Sequence, residues 1–95
     1  MNFEEIYISL KQRERRLFEF IFDGKAIDMT TIQIAHKVRF SLRTVFKNLN
    51  TLERLGLIIR LTGVSGEINQ YIVPLQVKEA RDKFIDNSLQ FVGIR

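Results

Sequence analysis

Apolar residues recur at helical spacing in four stretches of the chain and at strand spacing in one. In residues 10–23, "LKQRERRLFEFIFD", Leu10, Leu17 and Ile21 fall on one face, with Phe18 and Phe22 beside them. Ser9 with Gln12 three residues on has capping-box spacing, and Gly24 suits the left-handed position that closes a helix. These cues predict a helix over 10–23, followed by a short extended piece at 26–29. Thr30 and Gln33 repeat the capping spacing, and Met29 with Ile34 forms a hydrophobic staple. A two-turn helix is therefore predicted over 31–38, with Ile34, Ala35 and Val38 inward.

After the three residues "RFS", Ser41 is the expected N-cap of a third helix over 42–55. Phe40 and Val45 make a second staple, and Leu42, Val45, Leu49 and Leu52 form the buried stripe. Gly56 takes the left-handed position, with Leu57 closing onto Leu52. The pattern then changes to "LIIRL", "TGVSGEIN" and "QYIVP". β-Branched and apolar residues around a glycine-containing loop predict a hairpin. A last amphipathic helix follows Pro74 over 75–92, with Val77, Ala80, Phe84 and Phe91 at helical spacing and Ile85, Leu89 and Val92 alongside.

Ninety-five residues make one domain, residues 1–95. The predicted class is mainly α with a small β-hairpin (α+β), ordered helix-helix-helix-hairpin-helix. With no cysteine and one histidine, the chain lacks the ligands of a structural zinc site, and no metal or cofactor is expected. No apolar run approaches the roughly 20 residues of a membrane span. "MNFEEIYISL" has no basic region of the secretory kind, so the expected location is the cytoplasm. The scattered acids and single His36 offer no nucleophile–base pair, "GVSG" is not a phosphate-cradling loop, and no enzyme activity is expected.

Charge sharpens the picture. The net charge is +4, but residues 1–30, 31–66 and 67–95 carry −1, +5 and 0. The middle third holds Lys37, Arg39, Arg43, Lys47, Arg54 and Arg60 against the single acid Glu53. A localised basic face is the footprint of a nucleic-acid binder.

Two helices joined by a tight turn and followed by a hairpin form a helix-turn-helix with a wing. The segment "IQIAHKVRFSLRTVFKNLNTLERLGLI" resembles the winged helix-turn-helix family of DNA-binding domains, and the resemblance covers residues 10–74. It rests on Ala35 between the helices, Val38 and Phe40 at the turn, Ser41 as cap, Thr44 and Val45 opening the third helix, and "LERLGLI" closing it. Arg39 departs from it, standing where many members carry glycine. In layout the chain is similar to small dimeric regulators of the MarR and PadR types, and to plasmid partition-type DNA binders.

At about 100° per residue, Arg43, Lys47, Asn50 and Arg54 lie opposite Val45, with Thr44 and Thr51 flanking. This face offers donors, an amide and hydroxyls to a major groove wide enough for one helix. Arg43, Thr44 and Lys47 are expected nearest the base edges, with Asn50 behind and Arg54 at a phosphate. Thr31, Gln33, Lys37, Arg39 and Ser41 are assigned to the DNA backbone, and Arg60, Thr62 and Ser65 to the wing.

One copy reads only a half-site, so a homodimer is expected. Residues 1–9 are not needed to complete the winged core. They and residues 75–95 are assigned to the dimer contact through Phe3, Ile6, Phe84, Ile85, Leu89, Phe91 and Val92. Double-stranded DNA is the expected partner. Three roles follow: a transcriptional repressor, a partition or replication accessory protein that spreads along DNA beside a partner protein, or a module that binds proteins instead of DNA.

Overall fold

The computed structural model describes residues 2–62 and 69–93; at 62, 69 and 87–93 it describes the backbone alone. The elements are α1 (Phe3–Ser9), α2 (Gln12–Phe22), α3 (Thr31–Val38), α4 (Leu42–Arg54), β1 (Ile59–Thr62), β2 (Asn69–Ile72) and α5 (Leu75–Gly93). The expected α+β order is present, with one helix added in front. The wing strands are antiparallel, pairing Ile59 with Ile72 and Thr62 with Asn69. The wing loop that carries Ser65 lies outside the described residues.

The added helix α1 is capped by Asn2, whose side chain accepts the Glu5 N–H at 2.9 Å. Glu4 and Glu5 in its first turn also suit the positive end of the helix dipole. It is not dispensable to the core, contrary to expectation. The Phe3 ring lies 5.3 Å from Tyr7, 6.3 Å from Phe18 and 6.3 Å from Phe84, so α1 joins α2 to α5. Helix α2 begins two residues later than predicted. Ser9 instead donates its hydroxyl to the Ile6 carbonyl and belongs to α1. Leu10 and Lys11 are extended, and the Glu14 carboxylate accepts the Lys11 N–H at 2.8 Å. A charged acceptor at the third helical position makes a stronger cap for the Lys11 N–H than the neutral Gln12 amide would make for the Ser9 N–H.

Helices α3 and α4 match their sequence cues closely. Thr30 accepts the Gln33 N–H while Gln33 accepts the Thr30 N–H, and Ser41 accepts the Thr44 N–H. Helix α4 ends as predicted, with Gly56 at φ +78° and the Leu57 N–H on the Leu52 carbonyl. Val45, Leu49 and Leu52 are buried, but Leu42 is not; the fourth buried position of the stripe is Asn48. Residues 26–29 are not extended. They belong to a turn in which the Met29 N–H reaches the Ala26 carbonyl and Asp28 adopts φ +58°.

The core joins Leu17, Phe18 and Ile21 of α2 to Ile34, Val45, Leu49 and Leu52, with Leu57, Ile58 and Val73 leading into and out of the wing. Beside it, Glu19 links three helices: it accepts from Tyr7 Oη at 3.1 Å and pairs with Arg81 of α5. The Glu19 bond holds the Arg81 guanidinium above its ordinary value. Burial pushes the Tyr7 phenol up, and the adjacent Glu19 carboxylate adds to the shift. Because the folded value is the higher one, this contribution is complete below about pH 10 and is lost as pH rises beyond it. Thermal midpoints between pH 8 and 11 should therefore fall more steeply in the wild type than in Tyr7→Phe; equal slopes would exclude Tyr7 as the cause. Glu19→Ala should lower stability by about 1 kcal/mol, because two part-buried donors lose their acceptor. An unchanged urea midpoint would show that solvent replaces it at no cost.

Candidate nucleic-acid interface

The turn between α3 and α4 determines where the second helix points. Arg39 occupies it at φ +62°, and the Phe40 N–H closes onto the Ala35 carbonyl at 3.1 Å. This is the left-handed closure that glycine adopts freely and that costs an L-residue about 1–2 kcal/mol. Arg39→Gly should therefore raise stability by about 1 kcal/mol in urea unfolding. A lower midpoint would mean that the arginine side chain contributes more than the strained backbone costs. Keeping a large cation at a strained turn fits a role outside folding.

On α4, Arg43, Lys47, Asn50 and Arg54 are all exposed, opposite the buried Val45, Leu49 and Leu52. Thr44 and Thr51 are half-buried on the flank. The Thr51 hydroxyl donates to the Lys47 carbonyl at 3.1 Å. Ser41 is exposed, but its hydroxyl is used twice, accepting the Thr44 N–H and donating to Thr44 Oγ1. It can still offer its backbone N–H to an anion. The helix thus presents three cations and one amide without a carboxylate between them, while Glu53 stands to one side. Phe46, 42% exposed, borders this face and was not singled out from the sequence.

The remaining assignments divide. Lys37 and Arg39 are exposed at the end of α3, beside the turn. Gln33 is exposed, with its carbonyl oxygen committed to the Thr30 N–H and its amide hydrogens free to donate. Thr31 is 92% buried and has little surface to offer DNA; as the first residue of α3 it packs inward. Arg60 is half-buried. Paired with Tyr71, it lies by register on the same strand face as the buried Ile58 and Val73. The outer face of the wing carries Ile59, Leu61 and Ile72, so the described part of the wing is more apolar than expected. Thr62 is the last residue of β1, and its side chain lies outside the described residues, as Ser65 does entirely.

Of the residues assigned to a dimer contact, Phe3 and Ile6 are half-buried against the chain's own core. Phe84 packs 5.5 Å from the Tyr7 ring. Ile85 is half-buried, and the side chains of Leu89, Phe91 and Val92 lie outside the described residues. Part of the apolar surface at the two ends is thus used within one copy.

Sequence reasoning missed the contribution of α2. Its first turns lie against the start of α4, where Arg13, Arg16 and Arg39 line a cavity of about 540 Å³ with Phe40, Ser41 and Thr44. Arg13 and Arg16 stand 5.8 and 5.3 Å from the Phe40 ring. The signal available was the "RERR" run, but it lies within a segment of net negative charge. Among the described residues, no three His, Asp or Glu side chains gather as a metal site would need. No described helix is long and apolar enough to cross a membrane.

No protein-family model matches the sequence, and no curated protein matches it. Solved structures do match. A MarR-like transcriptional regulator from Thermotoga maritima superposes with a TM-score of 0.71 at 21% identity, over 100% of this chain and 67% of the other. MepR of Staphylococcus aureus, a transcription regulator of the multidrug efflux pump MepA, superposes with a TM-score of 0.64 at 16% identity, over 93% and 67%. The MepR–DNA complex gives 0.62 at 17%, over 90% and 65%. The chain therefore spans about two-thirds of the length of these proteins. Helix-turn-helix, wing and flanking helices together make it a winged helix-turn-helix domain with the fold of the MarR-like transcriptional regulators.

Proposed function

We propose that this chain is a transcriptional regulator that binds double-stranded DNA as a homodimer, with α4 in the major groove. The observation that carries this reading is the exposed face of Arg43, Lys47, Asn50 and Arg54, set on a helix whose start is fixed by Ser41. A helix with donors and no carboxylate along its outer face suits base edges flanked by phosphates. The likeness to MepR, which has been crystallised with DNA, supports DNA as the partner.

Arg43 and Lys47, nearest the start of α4, reach base edges; Arg54, about two to three turns further along, meets a phosphate. Lys37 and Arg39 meet the backbone that α3 crosses. The dimer contact is assigned to the apolar ends, α1 and α5, beyond the part that packs within one copy.

Nuclease footprinting on the DNA upstream of the chain's own coding sequence, across a protein titration, tests the proposal. A fixed block of about 20 base pairs, two half-sites one helical turn apart, is expected. Protection that spreads outward with concentration would replace the operator-bound repressor with a DNA-coating, partition-type protein. No protection at low salt would overturn DNA binding and leave the protein-binding module. Sedimentation of the free chain tests the dimer: a monomer at micromolar concentration would remove it.

A further inference from the structure

The cavity between α2 and the start of α4 brings together three guanidinium groups from two separate elements. Arg13 and Arg16 come from α2, three residues apart on one face, and Arg39 comes from the strained turn. Like charges at that spacing destabilise a helix, and a third cation adds to the repulsion. Among the described residues, none of the three is paired with a carboxylate. Glu14, which lines the adjoining cavity, accepts the Lys11 N–H.

What holds the arginines in place is Phe40. Its inner side packs on the core, while Arg13 and Arg16 stand over the ring. Guanidiniums drawn to a ring by its quadrupole leave their N–H forks unused, and a fork takes phosphate oxygens two at a time. The cavity continues past Gln12, Arg13 and Thr44 into a second one of about 360 Å³. Asn48 lies there, 94% buried, with an Nδ2 that has no acceptor among the described residues. The first cavity thus carries three cations and no carboxylate, which is the complement of an anion.

We propose that this cavity is a clamp for one phosphodiester of the DNA backbone, held by Arg13, Arg16 and Arg39 at the entrance of α4. The proposal rests on the DNA-binding reading above and adds α2 to the interface. Its place follows from the fold. With α4 in the major groove, a strand that passes the start of that helix also passes the ends of Arg13 and Arg16. The clamp would fix register and carry no sequence information.

The test uses the full chain and a labelled 25-base-pair duplex of arbitrary sequence, with affinity measured from 50 to 200 mM salt. Because the three arginines share one phosphate, Arg13→Gln or Arg16→Gln alone leaves it partly neutralised and should lower the salt slope by less than about 0.9, while the triple variant Arg13→Gln/Arg16→Gln/Arg39→Gln should lower it by about 0.9 in total, one phosphate's worth and not a sum of three. Affinity should fall about ten-fold, as for one charge-assisted hydrogen bond. Arg16→Lys should restore the slope but not all the affinity, because the ammonium keeps the charge and loses the fork. Slopes that fall by one unit for each arginine would overturn the clamp in favour of separate phosphates, and unchanged slopes would remove α2 from the interface. If the variants bind duplex as the wild type does, yet wild-type arginine N–H resonances shift with millimolar inorganic phosphate, the cavity is a small-anion site and the proposal fails. Wild-type protein that binds no duplex at 50 mM salt would sink the DNA-binding reading itself, an outcome distinct from all of these. Arg13 and Arg16 are exposed, so the variants should unfold at a temperature no lower than the wild type, which serves as the folding control.

Discussion

Phe18→Ala is expected to remove about 3–5 kcal/mol of stability, a large share of the 5–15 kcal/mol typical of a small domain. Phe18 has no exposed surface and sits among the rings of Phe3, Tyr7 and Phe22, with centroids 6.3, 6.1 and 6.1 Å away. Truncation leaves a cavity at the junction of α1 and α2, and the neighbouring rings cannot collapse to fill it without giving up their own contacts. Because Phe3 and Tyr7 also meet Phe84, the loss should loosen α5 as well as α1. Urea unfolding measures the first effect, and loss of the near-ultraviolet tyrosine signal ahead of helix unfolding measures the second. Phe46→Ala is the control. At 42% exposure it should change stability by less than about 1 kcal/mol. If the two substitutions cost the same, the core is not where the structure places it.

The second large effect concerns recognition. With the proposed placement of α4, Arg43→Ala should cost about 1–3 kcal/mol on the cognate duplex and little on a scrambled one, because a fork onto a base edge is lost. Arg54→Ala should behave in the opposite way, weakening all sequences alike and reducing the salt slope by about one. Equal losses on both duplexes for Arg43→Ala would move that residue to the backbone. An unchanged slope for Arg54→Ala would take it out of the interface. Both residues are exposed, so neither change should disturb folding.

These expectations draw on parts of the chain that were unequally legible. Helices α3 and α4 could be read almost to the residue, because their signals act within a single turn. Thr30 answers Gln33, Ser41 answers Thr44, and Gly56 lets Leu57 close onto Leu52. Helix α1 could not. It has seven residues, so its apolar stripe of Phe3, Ile6 and Tyr7 spans little more than one turn, and it depends on the Asn2 cap and on aromatic packing with Phe18 and Phe84. Isolated helices that short are unstable, so its existence depends on distant residues. The start of α2 was misplaced because two capping patterns, Ser9 with Gln12 and Lys11 with Glu14, overlap within six residues. Only the ending of α1 at Ser9 decides between them.

The sequence by itself determined the helix-turn-helix, the side of α4 that faces outward, and the concentration of positive charge around it. Caps, staples and apolar periodicity are local, and each is complete within a few residues. The tertiary structure alone decided which cations share a surface. Arg60 looked like a wing contact until strand register placed it on the face of Ile58 and Val73, and Thr31 looked like a backbone contact until packing buried it. Arg13 and Arg16 lie in a segment of net negative charge, more than twenty residues before Arg39, and only the packing of α2 on α4 brings the three to one cavity. Electrostatic interaction depends on distance in space, and that distance is fixed by side chains that carry no charge: Leu17, Val45, Leu49 and the Phe40 ring beneath Arg13 and Arg16.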